Sequence, residues 1–187
     1  MKQALLILDV QNDYFSDQAR MPVAKNQIEP TLNCINNLIK RAEKSNVHII
    51  YIRNEFERTH VLSNLLRKFT ALKGSKGAEL DERLLRVEGV YFSKNKADAF
   101  NNPSLVTYLK NNDINQLIVT GAFIEGCVTA TVKGALARNF AVTVVRDAVA
   151  GATDQRKEVA LTKLATQDIL ILTSQQVFES ENDKGEI

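Results

Sequence analysis

Cysteine is scarce in this sequence, and the scarcity excludes a class of folds. With two cysteines in 187 residues, Cys34 and Cys127, no disulfide framework can form, so a buried core must hold the chain together. Long apolar runs are also lacking. The stretch in MKQALLILDVQNDYF is far too short for a signal peptide or a membrane span, and a cytoplasmic protein without membrane contact is expected. Charge of one sign is lacking too. The formal net charge is +2, from 24 Lys and Arg against 22 Asp and Glu spread along the chain, which leaves no basic stripe for nucleic acid. Internal repeats and low-complexity tracts are absent.

What is present is ample for a core: 44% of the residues are hydrophobic and 25% charged, the balance of one globular domain over residues 1–187. The closing ESENDKGEI, residues 179–187, is polar and unpatterned and reads as a frayed tail. Short apolar runs alternate with amphipathic stretches. ALLILD, VHIIYI, GVYFS, QLIVTG, AVTVV and DILILT read as strands, with helices expected near 29–45, 102–112, 127–139 and 154–166. Residues 54–80 show no clear strand, and a helical excursion with a loop at GSKG is expected there. Strands apolar on both faces need helices on both sides, so the pattern predicts a three-layer α/β/α, Rossmann-like, open parallel sheet.

Ligands of such sheets collect at the carboxyl ends of the strands. Here the first strand ends in Asp9, the second runs into Arg53 and Asn54, the third meets Lys94, and the fourth passes Gly121 to reach Cys127. A carboxylate, an ammonium and a thiol on one rim form a chemically coherent set. An ordinary thiol, with a pKa of about 8.5, is mostly protonated at neutral pH. A neighbouring ammonium and a helix N-terminus both favour the thiolate, so a lowered thiol pKa is expected, and a carboxylate can take the proton. Each residue also has a plainer reading: Asp9 as a turn cap, Lys94 as a solvated lysine, Cys127 as a small core residue and Gly126 as a backbone requirement. Cys34, in the helical TLNCINNLIKRA, reads as packing only.

Three segments in register decide between these readings. DVQNDYF at 9–15, KNKADAF at 94–100 and GAFIEGCV at 121–128 together resemble the isochorismatase-like cysteine hydrolase superfamily, and GAEL at 77–80 and RDAVAG at 146–151 extend the resemblance over the whole chain. The resemblance implies six strands ordered 3-2-1-4-5-6 and a catalytic triad of Asp9, Lys94 and Cys127. Lys94 is preferred to Lys96 because it stands six residues before Phe100. It also implies a cis peptide between Ala122 and Phe123, an oxyanion hole from the Phe123 and Cys127 N–H groups, and a homo-oligomer whose subunits often share a pocket. Gln11, Tyr14, Arg53, Asn54 and Phe56 are the candidate substrate-binding residues. For Arg53, a substrate carboxylate and a structural ion pair are equal alternatives.

One departure bears on the substrate. Nicotinamidases, which are similar overall, carry an aspartate and histidines after the second strand for a metal, in a pattern such as D-x-H. This chain has RNEFERTH, with Asn54 and Phe56 in those places and His60 as the only nearby histidine. His48, inside VHIIYI, reads as structural. The expectation is an enzyme with no metal and no other cofactor that cleaves a small carboxamide or ureido C–N bond through a thioester. Two alternatives share the same residues: vinyl ether hydrolysis of the isochorismatase type, and a binding or thiol redox-sensing module.

Overall fold

The computed structural model describes residues 2–177, so the segment read as a tail lies outside the described residues. Six strands run β1 (Lys2–Leu8), β2 (His48–Asn54), β3 (Val90–Lys94), β4 (Ile114–Ala122), β5 (Ala141–Ala150) and β6 (Leu170–Leu172). They form one parallel sheet in the order β3-β2-β1-β4-β5-β6. The helices are α1 (Asn12–Phe15), α2 (Lys25–Lys44), α3 (Val61–Leu66), α4 (Pro103–Asn111), α5 (Thr129–Leu136) and α6 (Asp154–Leu164). Among the described residues, no helix is long and apolar enough to cross a membrane.

Alternation along β1 sorts the core into two layers. Leu5 and Ile7 pack with Leu32, Ile35 and Ile39 of α2, while Leu6 and Leu8 face the opposite layer, with Leu109 of α4, Val132 of α5 and Leu161 of α6. On α2 the buried residues Ile28, Leu32, Ile35, Leu38, Ile39 and Ala42 recur every three or four positions, giving one apolar stripe. α4 opens on an Asn102 side-chain cap to Ser104 N–H at 2.9 Å, followed by Pro103 at its first position. In α6 the Thr153 hydroxyl accepts from Arg156 N–H at 3.1 Å.

Two helix starts differ from expectation. α2 begins at Lys25, four residues before the expected start, with Pro30 inside it. A proline this near the start forfeits only a bond to a carbonyl of the first turn, so it does not mark the boundary. The expected helix near 127 is preceded by a π-turn over Ile124–Val128, and α5 begins at Thr129. The excursion over 54–80 is α3 and a 3-10 turn, Lys76–Ala78, capped by the Ser75 hydroxyl.

Candidate active site

Asp9, Asn54 and Lys94 stand at the ends of three neighbouring strands, and the π-turn carrying Cys127 follows the fourth. Sheet order therefore places in a row what the sequence scatters over more than a hundred positions. Asp9 leaves β1 in a left-handed conformation, φ 54°, with its N–H still bonded to the Ile52 carbonyl at 2.8 Å. Aspartate tolerates that region better than most residues. On the far side of β1, Gly121 has φ +106°, and a Cβ there would fall 1.9 Å from the Leu8 carbonyl oxygen. The close approach of β4 to the Asp9 turn thus requires glycine.

The side chains converge on Lys94. Its ammonium donates to Asp9 Oδ2 at 2.8 Å, Asn54 Oδ1 at 2.7 Å, the Lys96 carbonyl at 3.3 Å and Cys127 Sγ at 3.3 Å. Asp9 and Lys94 are buried, Cys127 is half-buried, and Lys96 is exposed with only its carbonyl in the cluster. Asp9 Oδ1 is buried without a hydrogen-bond partner. Burial pulls the Lys94 pKa down, but the Asp9 carboxylate and the Cys127 sulfur more than offset it, and the net shift is upward. The ammonium is therefore charged across the physiological range.

The lowered thiol pKa expected for Cys127 is not what this arrangement gives. Burial first, and the Asp9 carboxylate second, push the thiol up to about 12, against the opposing pull of Lys94. A carboxylate and an ammonium side by side nearly cancel at the sulfur, so desolvation decides the sign. Burial thus favours the protonated thiol over the thiolate in this arrangement. Nor does the sulfur sit at the first residue of α5, since the π-turn intervenes.

Around it, the peptide bond between Ala122 and Phe123 is cis. The Phe123 carbonyl accepts from Gly126 N–H at 2.9 Å and Val128 N–H at 3.1 Å, which folds the π-turn back on itself. Tyr14 packs edge-on against Phe123 with ring centroids 5.4 Å apart, and burial keeps its phenol protonated. Gln11 is buried with its amide committed to backbone: Nε2 to the Asn54 and Ala78 carbonyls at 2.8 Å, and Oε1 from Asn54 N–H at 2.8 Å. It braces the site and offers no free polar group. Arg53 pairs with Glu55 at 3.0 Å, the structural member of its two alternatives. Phe56 is buried, with the Arg67 guanidinium 4.2 Å above its ring centroid. A 250 Å³ recess beside Lys94 is lined by Glu55, Glu57, Lys73, Asn95 and Asn102.

Some contributors were not legible in the sequence. Arg67 has no motif to announce it, and Asp13, inside DVQNDYF, carries no sign of its role. Its carboxylate accepts from Ala71 N–H at 2.7 Å and lies where a Cβ on Gly77 would stand, so it fastens the 70–77 loop to α1. The signal for Asp13 is its buried position on the turn after β1, which spacing alone does not show. Cys34 packs beside the α2 layer with Sγ 3.7 Å from Asp147 Oδ2, away from the cluster. His48 bonds the Tyr108 hydroxyl at 2.9 Å, and His60 is exposed at the start of α3.

The donors that a nicotinamidase-like metal site needs do not come together. Asn54 is engaged with Lys94, Phe56 is an aromatic beneath Arg67, and no group of three or more His, Cys, Asp or Glu among the described residues is placed to hold a metal ion.

Comparison with known proteins places this geometry in context. The family model described as Isochorismatase domain matches residues 3–176. A protein of Arabidopsis thaliana named a probable inactive nicotinamidase is 28% identical over 166 residues, 81% of this chain and 82% of that one. N-carbamoylsarcosine amidase of an Arthrobacter species is 40% identical over 73 residues, 38% of this chain and 28% of that enzyme. Among solved structures, an isochorismatase-like hydrolase from Alkaliphilus metalliredigens superposes with a TM-score of 0.90 at 22% identity, covering 96% of this chain and 99% of its own.

Proposed function

The chain belongs to the isochorismatase family, and from that membership and the rim geometry we propose that it is a cysteine hydrolase of the amidohydrolase type. Its substrate is a small carboxamide or ureido compound. The observation that carries this reading is the placement of one buried ammonium 2.8 Å from a carboxylate and 3.3 Å from a thiol sulfur, with the second carboxylate oxygen unpartnered. The kinship with N-carbamoylsarcosine amidase supports carbamoyl chemistry in particular.

The free Asp9 oxygen takes the Cys127 proton as the sulfur attacks the substrate carbonyl carbon, and the C=O pair moves onto oxygen. Backbone N–H groups of Phe123 and Cys127 receive that oxyanion. As the C–N bond breaks, the proton on Asp9 passes to the leaving nitrogen, releasing ammonia or an amine and leaving a thioester. Asp9 then removes a proton from water, the hydroxyl adds to the thioester, and the acid departs as the thiol regains its proton. Lys94 holds Asp9 in place and stabilises the sulfur anion in passing. No step needs a metal or other cofactor. The partners in this reading are a small-molecule substrate and further copies of the chain, with no nucleic acid or membrane.

The test is an ammonia-release screen over small amides and N-carbamoyl amino acids, run with and without EDTA. Turnover of at least one compound, unchanged by the chelator and absent in Cys127→Ala, is expected. Turnover that survives Cys127→Ala would refute the thioester route, and loss in EDTA with recovery on added zinc would refute the metal-free one.

A further inference from the structure

Asn54 occupies the centre of the site, and its geometry asks more of it than substrate contact. It is the last residue of β2, directly paired in register with Lys94. Its backbone is gripped on both sides by the Gln11 amide, at 2.8 Å to the carbonyl and 2.8 Å from the N–H. The side chain is buried and has little freedom to move.

The orientation of the amide is equally fixed. Oδ1 accepts from the Lys94 ammonium at 2.7 Å; a flipped amide would turn its own N–H groups onto a positive charge. With Oδ1 held there, Nδ2 faces Cys127 Sγ at 3.7 Å and the Tyr14 hydroxyl at 3.5 Å. The sulfur therefore meets two donors.

Lys94 cannot serve the sulfur alone. Its three N–H bonds are shared among four acceptors, of which Asp9 and Asn54 are the nearest and the sulfur and the Lys96 carbonyl, both at 3.3 Å, the farthest. The Asn54 amide has two N–H groups for two acceptors, the sulfur and the Tyr14 oxygen, so one is available to the sulfur.

We propose that Asn54 is a catalytic residue whose Nδ2–H group holds the Cys127 sulfur as it becomes anionic, with Lys94 setting the amide's direction and Gln11 its position. The proposal rests on the thioester reading, but its test needs no substrate. In a Cys34→Ala background, Cys127 is the only thiol, and its alkylation by iodoacetamide reports how readily the sulfur anion forms. Asn54→Leu removes the N–H donor at nearly constant size and adds no charge beside the sulfur. Asn54→Ala removes the same donor with less bulk.

Alkylation followed from about pH 7 to about pH 10 should slow by about tenfold or more in Asn54→Leu, the effect of losing a hydrogen bond to a charged group. The profile should also move to higher pH. Asn54→Ala should slow by a similar factor, and this arm decides the matter by itself if Asn54→Leu does not fold. Parent-rate alkylation in folded Asn54→Leu or Asn54→Ala would overturn the proposal. If the alkylation effects appear but no amide is ever hydrolysed, the role of Asn54 stands and the choice of reaction falls.

Discussion

Truncating Lys94 leaves the Asp9 carboxylate buried without its counter-charge, so the substitution acts on stability as well as on chemistry. Lys94→Ala should abolish turnover and also cost about 3–5 kcal/mol in chemical denaturation, the usual penalty for breaking one side of a buried pair. Lys96→Ala should stay within about 0.5 kcal/mol of the parent and keep most of the activity, because only its backbone carbonyl touches the cluster. Equal losses in the two variants would show that the ammonium seen at Asp9 is not the one that matters. Which lysine reaches the Asp9 carboxylate is legible from the spacing to Phe100, but the sign of the thiol shift is not. Composition places an ammonium near a sulfur; it does not reveal that a carboxylate stands beside both and that burial then outweighs the remainder.

The strands and the two-sided covering of their sheet are readable because β1, β2, β4 and β5 are apolar on both faces, whereas the strand order rests on the sequence resemblance. Element starts were less readable. Pro30 looks like a helix boundary but sits inside α2, and the π-turn at Ile124–Val128 has no periodicity of its own. Glycines at junctions carry positional information that appears only once the partners are known. Asp98 caps Phe100 N–H at 2.9 Å while its carboxylate lies 2.5 Å from where a Cβ on Gly134 would be, which ties the KNKADAF turn to α5. Gly121 is the stricter case, since its positive φ and the Leu8 carbonyl each exclude a side chain. Gly121→Ala should therefore cost about 3 kcal/mol or more and disturb the Asp9 turn next to it. Denaturation midpoints compared with Gly74→Ala separate the two contributions, because Gly74 has a positive φ of 72° but open space around it. A Gly121 loss no larger than that of Gly74 would mean that β1 and β4 can separate at their ends without cost.

Across the whole molecule, one element is turned inside out. In α3 the polar Asn64 is buried, with Nδ2 bonded to the Glu57 carbonyl at 2.9 Å, whereas Leu62 is 80% exposed and Leu66 87%, beside exposed Val61 and Leu65. Contiguous apolar surface of this kind marks an interaction face. Nearby, Lys73 pairs with Glu57 and Arg67 lies over the Phe56 ring. A two-fold contact needs no other molecule and is the commonest closed assembly. The occupant proposed for this face is therefore a second copy of the chain, which joins the oligomer implied by the sequence resemblance to a definite surface. Sedimentation equilibrium of the intact protein should give a dimer or larger assembly, and Leu62→Asp combined with Leu66→Asp should shift it to monomer while circular dichroism stays unchanged, since both side chains are in solvent within one copy. A wild-type monomer at concentrations of about 10 μM, well above a micromolar dissociation constant, would remove α3 as an interface. An oligomer that survives the double substitution would place the contact elsewhere.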